Sequence, residues 1–330
     1  MFICLSIFSF LIGLFSKPDL KSFHISGAAQ GTTYQLTYYA KNHSVNKIQI
    51  DSILCEIDSS LSLYKPYSLI SRFNQSESGL EVDAHFVNVI RKSLEVYAKT
   101  DGLFDITVQP LVQAWGFGPK RNASLPDSAA IQSIMKCMGT HRVRLRGKRL
   151  TKDLPCIKID VNGIAQGYSV DVLADFLEWK GIRNYIIEIG GEIRVKGRKA
   201  GGEKMTIGIE SPAEEGKNGR PIKTFIQLDH GAITTSGNYE KFYRSGSKRI
   251  SHLIDPKTGY SFQNEMISAT VYAKNAITAD GYDNALMGMG LKKAMSFVNK
   301  QKNMEAYFIY HKPDGSVADT ATAGFYKLMN

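Results

Sequence analysis

The stretch that most narrows the folds open to this chain is Asp160-Val161-Asn162-Gly163-Ile164-Ala165-Gln166-Gly167-Tyr168. A strand is predicted over Cys156–Val161 before it. A helix is predicted over Ala165–Lys180 after it, with Val170, Leu173, Ala174 and Leu177 inward and Gly181 as its C-cap. Two glycines at such a junction let another backbone approach closely, and the unpaired N–H groups of a helix start suit a phosphate. The spelling is neither G-x-G-x-x-G nor a loop ending in Gly-Lys-Ser/Thr. It therefore excludes the Rossmann and P-loop units while leaving a phosphate ligand open.

Periodicity elsewhere mixes the two element types. Thr32–Ala40 alternates as a strand, and Val45, Ile48, Ile53, Leu54, Ile57 and Leu61 recur at helical spacing behind Ser44, a candidate N-cap. Helices are predicted over Ala84–Thr100, Leu125–Met138, from about Ala276, and over Lys292–Asn299. Strands are predicted at His141–Arg146, Tyr185–Ile189, Met205–Glu210, Thr224–Asp229, Ile267–Tyr272 and Glu305–Tyr310. Without strict β-α alternation the class is α+β, with mixed sheets and flanking helices. No repeat or linker divides the chain, so a leader over residues 1–20 and one domain over 21–330 are expected.

Composition excludes more than it selects. The 330 residues are 43% hydrophobic and 22% charged, which is ordinary for a folded body. The net charge of +10 comes from scattered cations, with no zinc-finger, RRM or KH pattern, so no nucleic-acid partner is expected. The densest clusters, Lys148–Lys152 and Lys196–Lys204, read as solvated hairpins. Met1–Ser16 is apolar but shorter than the roughly 20 residues of a bilayer span, and fits the h-region of a secretion signal. A basic n-region and a clear cleavage site are absent; a buried N-terminal element is the other reading. We expect export to the periplasm or the outer face of the inner membrane, with cleavage and retention as an anchor both open. Of four cysteines, Cys55 is expected in the core, and Cys137 and Cys156 are expected to be unpaired, an oxidised pair being the alternative.

Several polar, glycine-bearing stretches lie at element ends, where sites tend to sit. Ser62–Asn74, with Tyr64 and Tyr67, reads as an aromatic loop able to stack a planar ring, or as a plain surface loop. In Gly102-Leu103-Phe104-Asp105 the acid follows two apolar residues and would need a partner if buried; a structural turn explains it equally. Gly190-Gly191-Glu192 reads as a turn. Thr234–Tyr239 precedes His252, Ile254 and the turn Asp255-Pro256-Lys257-Thr258-Gly259. A histidine at an exposed strand end can carry a proton near neutral pH, although a structural role is the more common one. Asp280 and Asn284, four apart, share a helix face and make a partial shell for a hard cation, or simply offset the helix dipole.

Together these stretches, from Gln30-Gly31-Thr32-Thr33 to about Gly290, resemble the ApbE family, the FAD:protein FMN transferases. Ser71-Arg72-Phe73-Asn74, Phe104-Asp105, Gly163–Tyr168, Gly190-Gly191, Thr235–Tyr239, His252 to Gly259 and Ala279-Asp280 carry the resemblance in order. It implies Mg²⁺ held by the Ala165 carbonyl with Asp280 and Asn284. It implies FAD near Gln30, Tyr64, Leu103, Phe104, Asp105, Asn162, Tyr168 and Ile254, with Thr235 and Ser236 close to the phosphates. His252 matches the proposed base, which takes the proton of an acceptor Ser or Thr as that oxygen attacks the FMN-side phosphorus and AMP leaves. The implied partners are FAD and an exported flavoprotein with a Ser/Thr acceptor motif, such as a redox-pump subunit. This chain departs from the pattern at Gln30, usually Met, at Gln166, often Lys, and at Asn284, usually Thr. An FAD pyrophosphatase and a non-catalytic flavin carrier are the competing readings.

Overall fold

The computed structural model describes residues 20–120, 124–212, 221–239, 242–245 and 248–329; the expected leader lies outside these except for its last residue. In chain order the first elements are strands β1 (Lys21–Ala29) and β2 (Thr32–Ala40), helices α1 (Lys47–Leu61) and α2 (Leu69–Gln75), strand β3 (Gly79–Glu81), and helices α3 (Ala84–Lys99), α4 (Gln109–Ala114) and α5 (Ser128–Met135). Then come β4 (Val143–Arg146), β5 (Arg149–Lys152), α6 (Asn162–Trp179), β6 (Tyr185–Ile189), β7 (Glu192–Lys196), β8 (Met205–Glu210), β9 (Ile222–Leu228) and β10 (His230–Gly237). The remainder is β11 (Phe242–Ser245), β12 (Lys248–Ser251), β13 (Met266–Ala273), α7 (Ala276–Met289), α8 (Leu291–Val298), β14 (Met304–His311), β15 (Val317–Ala321) and α9 (Ala323–Tyr326). The mixture is α+β, as the periodicity implied.

An eight-stranded sheet organises the molecule, in the order β1-β2-β6-β7-β10-β13-β14-β15 with neighbours antiparallel. Its strands bury both faces. Tyr185, Ile187 and Ile189 of β6 join Leu173, Ala174 and Leu177 of α6, and Ala269 and Val271 of β13 pack with Ala279, Leu286 and other residues of α7. On the reverse face Val195, Ile233, Tyr307 and Ile309 meet the β8–β9 hairpin through Met205, Ile207 and Ile226. Period-two alternation thus distributes each strand between a helical layer and a covering hairpin.

Register divides the sheet into two ends. The turns Gln30-Gly31 and Gly190-Gly191, the last residues of β10 and the start of α6 lie at one end. The start of β1, the last residues of β2 and β7, the start of β6 and the C-terminus of α6 lie at the other. Gly190 and Gly191 carry φ of 63° and 110°, which a tight turn between β6 and β7 needs and other residues rarely adopt.

Several sequence expectations are corrected. Cys156–Val161 forms no strand: Cys156 lies in a turn and residues 157–161 join no sheet. Ile157, Ile159 and Val161 still bury alternately, and the Asn74 amide replaces a partner strand, accepting from the Ile159 N–H (2.8 Å) and donating to the Ile159 carbonyl (2.9 Å). Ser71–Asn74 is accordingly helix, in α2, rather than loop. Asn46, not Ser44, caps α1 in a capping box with Gln49. Cys55 is exposed on α1, because Leu54 and Ile57 take the inward positions. Cys137 and Cys156 form a disulfide, their Cα atoms 5.6 Å apart. Lys152, expected in a solvated hairpin, is buried: its ammonium donates to the Pro155 (3.1 Å) and Ile157 (2.8 Å) carbonyls and lies over the Phe73 ring. Burial pulls its pKa down to about 8.

Candidate active site

A cavity of about 990 Å³ opens at the turn-rich end of the sheet, at the top of the size range usual for cofactor sites. Gln30, Tyr64, Leu103, Phe104, Asp105, Asn162, Ala165, Thr235, Ser236, His252, Ile254, Asp280 and Asn284 all line it. Residues scattered over most of the sequence therefore share one wall. Tyr168 is the exception: its ring turns to α3, where the hydroxyl meets His85 Nδ1 (2.9 Å) and the Asn88 amide (3.4 Å).

The centre is built by α6 crossing α7. Gly163 leaves helical geometry (ψ 20°), which breaks the ladder at the start of α6. The Gly167 N–H, four residues on, donates instead to Asp280 Oδ2 at 2.8 Å. Close approach is possible because residue 167 has no side chain; a Cβ there would stand 2.5 Å from the Ala276 carbonyl oxygen and 2.7 Å from Asp280 Cβ. Asp171, one turn further along α6, accepts from the Ala276 and Ile277 N–H groups (both 2.9 Å) and is ion-paired with Arg194. It thus caps α7 from outside, since Asn275 makes no side-chain cap. Asp280 and Ala165 consequently stand on the same side of the molecule, at one crossing.

Little of the expected anion-binding capacity survives at the start of α6. The Asn162 N–H goes to Asp160 Oδ1, and the Ile164 and Ala165 N–H groups both go to the Val161 carbonyl. Charge points the same way. The wall carries the acids Asp58, Asp105, Asp160, Glu192, Asp280 and Asp283 against a single lysine, Lys65, among the described residues. Asp280 is almost fully buried, and burial pushes it up to about 7; the Gly167 N–H opposes this and the charge of Asp171 adds to it. No group of three or more His, Cys, Asp and Glu side chains able to hold a metal exists among the described residues. A cation here would lean on carbonyl, amide and water oxygens beside Asp280, a hard donor set that fits magnesium.

Neighbouring side chains fix these oxygens. Ser169, four residues after Ala165, donates its hydroxyl to the Ala165 carbonyl (2.7 Å) and accepts from Gln30 Nε2 (2.7 Å). Gln30 sits at φ 53° in a two-residue turn that favours Asn or Gly. Its Oε1 is buried with no hydrogen-bond partner among the described residues. Ser236 donates to Asn284 Oδ1 (2.8 Å) and Thr234 to Asp283 Oδ2 (2.7 Å), so β10 holds the amide and acid of α7. Ser169, Asp171 and Glu192 went unassigned in the sequence. The i, i+4 spacing of Ala165 and Ser169 is the one local signal that marks any of them.

Asp105 has its partners inside the protein. Oδ1 accepts from the Thr107 N–H (2.7 Å), the Thr107 hydroxyl (2.5 Å) and the Thr140 hydroxyl (2.7 Å). The carboxylate therefore ties the Leu103-Phe104 turn to Thr140, the structural alternative that its sequence context left open. His252 follows β12, half-buried, with its ring against Phe117 (centroids 6.3 Å apart). The 255–259 turn behind it closes through Gly259 N–H to the Asp255 carbonyl (2.8 Å), and Trp115 Nε1 anchors it at the Gly259 carbonyl (2.7 Å).

An antiparallel sheet whose helix crossing frames an acidic, glycine-flanked cavity defines a class, and the chain belongs to the ApbE family, whose profile matches residues 30–308. Among characterised relatives, the FAD:protein FMN transferase of Vibrio cholerae is 34% identical over 314 residues, spanning 93% of this chain and 92% of its own. That of Haemophilus influenzae is 34% identical over 326 residues, 94% of this chain and 93% of its own. The structure of the flavin transferase ApbE from Vibrio cholerae superposes with a TM-score of 0.84 at 34% identity, covering 94% of this chain and 99% of that one. The apo flavinyl transferase ApbE of Pseudomonas stutzeri gives 0.84 at 29% identity, covering 94% and 97%.

Proposed function

We propose that this chain, acting as one unit over residues 21–330, transfers FMN from FAD to a Ser or Thr hydroxyl of a flavoprotein, releasing AMP. The observation that carries the reading is the buried Asp280, held by the Gly167 N–H in a wall where acids outnumber lysine six to one. Such a wall repels a diphosphate unless a cation accompanies it. Ala165, Asp280 and Asn284 would hold magnesium, which supplies charge neutralisation on the phosphoryl oxygens and the leaving group.

The chain's own residues orient and transfer protons. The Ser169 hydroxyl, itself set by Gln30, fixes the lone pairs of the Ala165 carbonyl, and Ser236 fixes the Asn284 amide. Tyr64, Leu103, Phe104 and Ile254 offer aromatic and apolar surface to the flavin ring. The buried Oε1 of Gln30 accepts from a ring N–H. Thr235 lies toward the phosphates, while Asp105 and Tyr168 act through the walls that they brace. His252 takes the proton from the acceptor hydroxyl as its oxygen bonds to the FMN-side phosphorus. The bond from that phosphorus to the bridging oxygen breaks, and AMP departs with the electron pair.

Incubation with FAD, magnesium and an exported flavoprotein carrying a Ser/Thr acceptor motif tests this by intact mass. Covalent FMN on the acceptor is the expected result. Free FMN with unmodified acceptor would make the chain a pyrophosphatase, and unchanged FAD would make it a carrier.

A further inference from the structure

The end of the sheet opposite the cavity carries an unusual surface. Trp179, in the last turn of α6, is 76% exposed, and Ile48, in the first turn of α1, is 80% exposed. Trp179 stacks on Phe176, and the Lys180 ammonium lies over both rings, 4.9 Å and 5.7 Å from their centroids. Of the acids at this end, Asp51 pairs with Lys47, Glu178 with Lys196 and Asp229 with Arg198, while Asp175 and Glu203 are exposed. Lys21, Lys41, Lys180 and Lys274 form no ion pair among the described residues. An aromatic, aliphatic and cationic mixture of this kind is the composition that settles at a membrane interface.

Register ties this surface to the apolar N-terminal sequence. Lys21 pairs with Ala40 and Ser22 with Tyr39, whose N–H bonds the Asn184 carbonyl, five residues beyond Trp179. The chain therefore enters β1, directly after the apolar run Met1–Ser16, at the end that presents Trp179. The nine residues of β1 then lead away to the cavity, a rise of roughly 26 Å.

We propose that this end rests on an anionic phospholipid bilayer, with Trp179 and Ile48 at the headgroup boundary and Lys21, Lys41 and Lys180 against the lipid phosphates. The cavity then opens away from the bilayer, and an acceptor must present its hydroxyl at that height. No helix among the described residues is long and apolar enough to cross a membrane.

The test uses the full chain with vesicles of phosphatidylethanolamine and phosphatidylglycerol, part of their acyl chains brominated. The other tryptophan, Trp115, is buried behind the cavity and serves as an internal control. We expect brominated lipid to quench the Trp179 share of the emission, and this quenching to be lost in Trp179→Phe. We expect Lys180→Glu to weaken quenching several-fold. Sedimentation with the vesicles while Trp179 stays unquenched would show an anchored chain with this face turned away, and would overturn the proposal. Failure to sediment at all would overturn it too. A concentration-dependent blue shift of Trp179 without lipid would assign the face to a second copy of the chain instead.

Discussion

Replacing Gly167 with Ala tests whether the contact between α6 and α7 is what builds the site. In an ordinary helix interior this change stabilises by about 1 kcal/mol, because Gly carries excess backbone entropy. Here the new methyl would lie 2.5 Å from the Ala276 carbonyl oxygen, 2.7 Å from Asp280 Cβ and 2.8 Å from the Ala276 carbonyl carbon. Two of these atoms are backbone, and α7 cannot slide away freely, because Asp171 holds its first N–H groups. Overpacking of this kind costs about 1–3 kcal/mol, and two clashes against fixed backbone belong at the upper end. The sum is a net loss of about 1–2 kcal/mol by the same two magnitudes, opposite in sign to the propensity effect. Moving α7 also strips the Gly167 N–H from Asp280, so magnesium affinity and FMN transfer should fall more than stability does. Urea unfolding measures the first effect and magnesium titration of the folded protein the second. Gly281→Ala is the control: its methyl meets only the side-chain ends of Ile164 (3.1 Å) and Val96 (3.2 Å), which can yield. An unfolding midpoint for Gly167→Ala at or above wild type, with an unchanged m-value, would refute the reasoning.

Four shorter predictions concern the same architecture. Removing the disulfide by Cys137→Ser with Cys156→Ser frees a loop of separation 19 and should lower stability by about 3 kcal/mol, read from urea melts. Because Asp280 is raised to about 7, its metal-free form favours the folded state most in acid, and this contribution is lost as pH rises through 7. Added magnesium should therefore raise the melting temperature progressively more from pH 6 to pH 8 (about those values), and a pH-independent increment would remove Asp280 from the metal site. Gln30→Met should weaken FAD binding about tenfold, the worth of one buried hydrogen bond, in equilibrium dialysis. His252→Ala should slow FMN transfer at least a hundredfold with FAD affinity nearly unchanged, and equal rates would exclude it as the base.

What the sequence made legible, and what it did not, follows from the range of each interaction. Helix α3 and strand β6 were readable because their burial repeats every 3.6 or 2 residues within the element itself. The run 157–161 has the same alternation but no ladder, since its partners are scattered: the Asn74 amide, some eighty residues earlier, the Ile106 carbonyl and the Lys152 ammonium. No local pattern separates these two cases. The site divides along the same line. Asp280 and Asn284 share a face by spacing, and the glycines at the start of α6 mark a close approach by residue type, so both belong to what one segment can reveal. That Gly167 would give its N–H to Asp280, that Asp171 would cap α7 from another helix, and that Tyr168 would turn to His85 all depend on how α6, α7 and α3 cross. The acidity of the wall is likewise emergent: Asp58, Glu192 and Asp283 are unremarkable in their own segments and form a field only when folded together. That field would oppose an anionic substrate, so under the proposed function the demand for a cation arises from the fold and from none of the contributing segments by itself.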